Sequence, residues 1–79
     1  MKQKRVPISI NTEYITLGQF LKFADVVSSG SEAKFYLSSH DILVNKEPDN
    51  RRGRKLRPGD ELEIENVVYE IISKWLFLS

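Results

Sequence analysis

At 79 residues, with 41% hydrophobic and 29% charged side chains, the chain is long enough for one small core and too apolar for disorder. It has no cysteine, which excludes a disulfide framework or a thiolate metal site, and its N-terminal "MKQKRVPISI" lacks the apolar run of a signal peptide or membrane span. The net charge is +1, yet residues 1–57 carry 11 Lys and Arg against 6 Asp and Glu, and residues 58–79 carry 1 against 5, so a basic face and an acidic face are expected.

The first predicted element is a short strand over residues 6–10, where "RVPISI" alternates and Pro7 suits an edge. Thr16 and Gln19 have capping-box spacing, and Leu17, Phe20, Leu21 and Ala24 follow with the i, i+3, i+4, i+7 period of a buried helical stripe. Gly18 is a weak helix former, but its cost is smaller in the first turn. A second helix starts at Ser29, with Glu32 three residues on and Ser31 as an alternative cap, and presents Ala33, Tyr36, Leu37 and His40 on one face. "ILVN" reads as a compact strand, "KEPDN" as turn residues, and "RPGD" as a turn with Pro and Gly at its centre. "ELEIE" alternates, turning Leu62 and Ile64 inward and three glutamates outward; "VVYEII" is a further strand, and "KWLFLS" is an apolar tail. The expected fold class is therefore α+β, two short N-terminal helices in a helix-turn-helix-like pair packed on a small, mainly antiparallel sheet, in a single domain spanning residues 1–79.

Arg51, Arg52, Arg54, Lys55 and Arg57 form the strongest chemical signal. Five cations between strands cannot enter a core, and they repel one another unless an anion shares their charge. Arginine's planar fork suits phosphate, and Gly53 lets backbone approach a ligand. The bland alternative is a solvated loop whose cations pair with Asp60, Glu61 or Glu63. Lys34 lies in the first turns of the second helix, where free N–H groups with Ser31 could hold a phosphate, although Glu32 opposes one. Lys22 is opposite the first helix's stripe and exposed. Phe23 and Phe35 fall off their stripes; packing against the other helix or the sheet is expected over base stacking, and Trp75 and Phe77 are read the same way. His40 beside Asp41 is no dyad, since adjacent residues point apart. No nucleophile elbow, P-loop or dinucleotide fingerprint occurs, so no enzyme and no cofactor is expected.

Four pieces in order, "TLGQFLK", "SGSEAK", "ILVNKE" and "RPGDELEI", resemble the RNA-binding domain named after small-subunit ribosomal protein S-four, over residues 15–64. "ITLGQFLK", "SGSEAK" and "RRGRKLRPGD" are similar above all to its small stand-alone bacterial members, the YaaA type. The resemblance implies the family's fold, two short helices leading into a hairpin (the alpha-L motif), and binding of structured ribosomal RNA through the helix pair and adjoining loops. Lys34 then matches a basic site in the second helix, Ser29 and Ser31 its start, and Asn45 the turn asparagine. Thr16, Gly18 and Gly30 stand where many members have Arg, Asp and Arg, and Lys46 replaces the usual turn glycine. The expectation is that residues 51–57 supply the phosphate contacts of the missing arginines. With Lys22 and Lys46, the expected RNA-binding set is Lys22, Ser29, Ser31, Lys34, Asn45, Lys46, Arg51, Arg52, Arg54, Lys55 and Arg57.

The expected protein is a cytoplasmic RNA binder, a monomer in preference to an oligomer, whose partners are ribosomal RNA and ribosomal proteins, with no membrane involved. "VNKEPDN" and "LRPGDELEI" also resemble ubiquitin-like sulfur carriers, but those need a C-terminal Gly-Gly and this chain ends "KWLFLS". A protein-interaction module using the acidic strand face or the apolar tail is the alternative from another class. A DNA binder would use the same cations, but the second helix offers only Lys34 for base reading.

Overall fold

A computed structural model describes residues 4–74. Its elements run β1 (Lys4–Ile10), β2 (Ile15–Thr16), α1 (Leu17–Phe23), α2 (Gly30–Ser39), β3 (Leu43–Val44), β4 (Glu47–Pro48), β5 (Lys55–Leu56), β6 (Glu61–Ile64) and β7 (Val67–Ser73). Five strands form one mixed sheet in the order β1-β7-β6-β3-β4, and β2 pairs with β5 in a separate ribbon. The two helices pack on one face of this mostly antiparallel sheet, as the α+β expectation required. None of the described helices is long and apolar enough to cross a membrane.

The first strand is longer than its alternation suggested, because it pairs in parallel with β7 along its whole length, Val6 opposite Tyr69 and Ile8 opposite Ile71. It lies at the edge of the sheet, where Pro7 leaves no ladder donor missing from the interior. The period of two divides the faces. Ile8, Ile10, Leu62, Ile64 and Ile71 turn toward the helices and are buried. Arg5, Glu61 and Glu70 turn to the other face, where the Arg5 guanidinium lies 2.6 Å from Glu61 and 3.5 Å from Glu70.

Thr16 caps α1 with both halves of the capping box: its hydroxyl accepts from Gln19 N–H, and Gln19 Oε1 accepts from Thr16 N–H. Leu17, Phe20 and Leu21 are fully buried, and Phe20 meets Tyr69 edge to face at 5.3 Å between centroids. The helix stops at Phe23, short of the predicted stripe: Ala24 is its C-cap and Asp25 takes φ 62°. The reversal carries Val27 into the core, a position the helical period did not mark. Ser29, not Ser31, caps α2, accepting from Glu32 N–H. Ala33 and Leu37 are buried, whereas His40 is the C-cap and stacks on Tyr36 at 3.9 Å instead of joining the core. Its Nε2 faces Glu65 at 3.5 Å.

Two hairpins close on two-residue turns with positive φ at both positions: Asn45 (52°) with Lys46 (70°), and Glu65 (48°) with Asn66 (68°). Such turns match strand twist. The first turn therefore sits at the family's Asn position and not over "KEPDN", where Glu47 and Pro48 continue as β4. Lys46 adopts the left-handed conformation that a glycine would take there, at a backbone cost of about 1–2 kcal/mol. "RPGD" turns as its residues predict, with Gly59 at φ 101° and Asp60 N–H donating to the Arg57 carbonyl at 3.0 Å. The tail residues Trp75 and Phe77 lie outside the described residues.

Phe23 and Phe35 do not pack against the other helix or the sheet: they are 63% and 79% exposed. Both helices already meet the core through their stripes, and among the described residues no layer covers their far sides.

Candidate functional site

The basic run is built onto the start of α1. A helix begins with N–H groups that have no partner within it. Here Leu17 N–H donates to the Arg54 carbonyl at 2.7 Å and Gly18 N–H to the Arg52 carbonyl at 2.9 Å. The ladder between β2 and β5, with Ile15 opposite Leu56 and Thr16 opposite Lys55, fastens the loop's far end, and Leu56 is fully buried. Gly18 makes this approach feasible: a Cβ there would stand 2.6 Å from Arg52 Cγ and 3.4 Å from the Arg52 carbonyl oxygen. The run is thus a fixed strap across the helix N-terminus.

Its cations divide into two groups. Arg51 and Arg54 share Asp49, which the sequence reading had not named among the acids available to them. The Arg51 guanidinium donates from Nε at 3.1 Å and from an Nη at 2.8 Å, and Arg54 reaches the same carboxylate at 3.5 Å. Asp49 Oδ1 also accepts Arg51 N–H at 3.0 Å, an Asx turn at the spacing "DNR". Hydrogen bonds from Arg51 hold the Asp49 carboxyl at about 2, well below the usual range, even though its side chain is only 9% exposed and that burial works in the opposite direction.

Arg52, Lys55 and Arg57 have no carboxylate partner among the described residues; Asp60 instead accepts Arg57 N–H and the Asn45 amide. Arg52 is common to two open concavities. One, between the helices, also involves Gly18, Lys22, Gly30 and Gly53; the other, beside α2, involves Lys34, Ser38 and Asn50. A Cβ at Gly30 would meet nothing within 4 Å, so this surface is open where the glycines stand. Lys22, Lys34 and Arg52, from α1, α2 and the strap, are thereby brought together although separated in the chain. Lys55 Nζ lies 5.0 Å and the Arg57 guanidinium carbon 5.6 Å from the centroid of the Tyr14 ring, a cation–π arrangement.

The remaining predicted residues are placed differently. Ser29 spends its hydroxyl on the cap of α2. Ser31 is exposed in the first turn, where Glu32 sits at the anion position: its carboxylate accepts the Ser28 hydroxyl at 2.6 Å and Ser28 N–H at 3.0 Å, bonds that lower its pKa. The first turn of α2 thus already carries a carboxylate of the chain's own, held by Ser28. Asn45 ties its turn to β6, donating to Asp60 at 3.1 Å and accepting Glu61 N–H at 3.0 Å. Lys46 is exposed at that turn and lines neither of the Arg52 concavities.

Tyr14 and Asp49 were missed by the sequence reading. Asp49 carried a usable signal, its two-residue spacing from Arg51; Tyr14 carried none, because its neighbours Lys55 and Arg57 are distant in sequence. On the outer sheet face, Glu61, Glu63 and Glu70 oppose this basic side, giving the charge asymmetry of the sequence a spatial form.

Comparison with known proteins follows the same geometry. The family described as S4 domain matches residues 8–72, from the middle of β1 to the end of β7. A Bacillus subtilis (strain 168) protein described as "Probable ribosome maturation protein RlbA" is 71% identical over 59 residues, which cover 75% of this chain and 83% of that protein.

Proposed function

This chain belongs to the S4 domain family, and from that premise we propose that it is a non-enzymatic RNA-binding protein acting in ribosome maturation in the cytoplasm. Its similarity to the ribosome maturation protein of Bacillus subtilis supports that setting. The observation that carries the reading is the convergence of Lys22, Lys34 and Arg52 on adjoining concavities, with no carboxylate to neutralise them among the described residues. Arg52 stands over Gly18 and beside Gly30, two positions where many family members have charged residues, and so takes over a phosphate contact from the neighbouring strap. Lys55 and Arg57 extend the basic surface toward Tyr14. Binding works by neutralising phosphates and fitting the shape of an RNA helix or junction, with 2′-hydroxyls separating RNA from DNA. Ribosomal proteins, many of them basic, suit the acidic outer face.

Fluorescence anisotropy against a structured ribosomal RNA fragment and a duplex DNA of equal length, across a salt series, tests this. Tighter binding to RNA is expected. Changing Lys22, Lys34 and Arg52 together to Ala should lower the slope of log affinity against log salt by about 2–3, at about 0.7–0.9 per phosphate contact. Equal affinity for both nucleic acids would reduce the site to a general polyanion surface. An unchanged slope would remove these three residues from it.

A further inference from the structure

Phe23 and Tyr14 are two of the large hydrophobic side chains left at the surface, 63% and 37% exposed, and they line one open concavity with Thr12, Glu13, Ile15 and Gln19. A single exposed ring needs no explanation, but two that line one concavity make an apolar patch that a ligand can cover. Neither serves the core: α1 buries Leu17, Phe20 and Leu21 on its other side, and Tyr14 lies outside the core cluster. The surroundings state the chemistry of the missing cover. Lys55 Nζ and the Arg57 guanidinium carbon stand 5.0 and 5.6 Å from the Tyr14 centroid, without carboxylate partners among the described residues. Gln19 gives its Oε1 to Thr16 N–H in the helix cap, which leaves its side-chain amide hydrogens as donors. Glu13, exposed at the same rim, offers an acceptor and repels a phosphate from that side.

Exposed ring surface, a donor and an acceptor for a base edge, and two cations next to Tyr14 correspond to the two halves of a nucleotide. We propose that this concavity holds an unpaired nucleobase of the bound RNA, stacked on Phe23 beside Tyr14, with its phosphates on Lys55 and Arg57; the proposal rests on the RNA-binding reading above. Aromatic faces recognise unpaired bases in this way in RNA and single-stranded complexes. Gln19 lines both this concavity and the one between the helices that holds Arg52, so a paired helix on the latter can continue into a single-stranded flank here. Because a purine covers more ring surface, adenosine should be preferred to uridine.

The experiment compares an RNA stem-loop with a flush end and the same stem-loop extended by unpaired adenosines, one of them a fluorescent adenine analogue whose emission falls on stacking. The extension should tighten binding to the full chain about five- to a hundredfold, the range set by base–aromatic stacking, and quench the analogue. Phe23→Ala should abolish both effects and leave affinity for the flush stem-loop unchanged; Phe23→Trp, which restores a stacking face, should keep both. If the flush stem-loop binds and the extension adds nothing, or if quenching survives Phe23→Ala, the stacking site is wrong and the RNA-binding reading stands. If the flush stem-loop does not bind even at low salt, the RNA-binding reading has failed and the stacking site falls with it.

Discussion

Arg51 and Arg54 differ from Arg52, Lys55 and Arg57 in nothing that charge density records, since all five lie within one short run. In the folded chain the first two clasp Asp49, and their backbone belongs to a strap whose carbonyls complete the first turn of α1. The other three hold their charge without a carboxylate partner among the described residues: Arg52 borders the concavity between the helices, and Lys55 and Arg57 flank Tyr14 and border a further concavity that Arg51 and Arg54 also line. Two of the five side chains are spent on a carboxylate, and three are not. A cluster of cations is therefore better read residue by residue, by asking which carboxylate each one reaches, than as a single patch.

Breaking that division should give its largest effect in RNA binding. The Arg51→Ala, Arg54→Ala double variant should lower the thermal midpoint but change the salt slope by well under the amount expected for Lys22, Lys34 and Arg52 together. Equal slope changes from the two variants would erase the distinction between cations spent on a carboxylate and those that are not. A smaller effect, read as stability, is expected from Gly18→Ala. Alanine is the better helix former by up to about 1 kcal/mol, but its Cβ would meet Arg52 Cγ at 2.6 Å near the strap's backbone. Overpacking of this kind costs about 1–3 kcal/mol, so the midpoint measured by circular dichroism should fall by several degrees. A rise would mean that the strap yields freely.

Acid titration sharpens the same comparison. The folded chain keeps Asp49 ionised down to about 2, from an ordinary value of 3.8. A depressed pKa contributes stability above the unfolded value and loses it on protonation. The clasp's contribution should accordingly persist above about pH 4 and disappear as pH falls from there toward 2. In Asp49→Asn that part of the acid transition should be missing, as measured by chemical denaturation at a series of pH values. The smallest effect belongs to Lys46→Gly. It relieves a φ of 70° but adds freedom to the unfolded chain, for a net gain below about 1 kcal/mol. RNA affinity should move little, because Lys46 lies away from the Arg52 concavities.

Much of this protein was legible in its local patterns. Thr16 with Gln19 marked one helix start, and Ser29 with Glu32 the other. Pro58 and Gly59 marked a turn, and the alternation of "ELEIE" marked which side of β6 is buried. Each depends on residues within four positions of one another, where backbone geometry alone decides what meets. The ordered motifs of the S4 domain family were legible for the same reason: short segments keep their residue types. Tertiary structure decided the rest. The parallel pairing of β1 with β7 joins the two ends of the described chain, and no local period announces it. Exposure of Phe23 and Phe35 followed from the absence, among the described residues, of any layer over the helices' far sides, which a helical stripe cannot reveal. The roles of the five cations depended on contacts of a few ångströms, Asp49 against Arg51 and Arg54, Gly18 beneath Arg52, Tyr14 beside Lys55 and Arg57. Hydrogen bonds and close ion pairs fade over such distances, so the positions of segments far apart in sequence, and not their composition, determine which charges are spent and which are left to act.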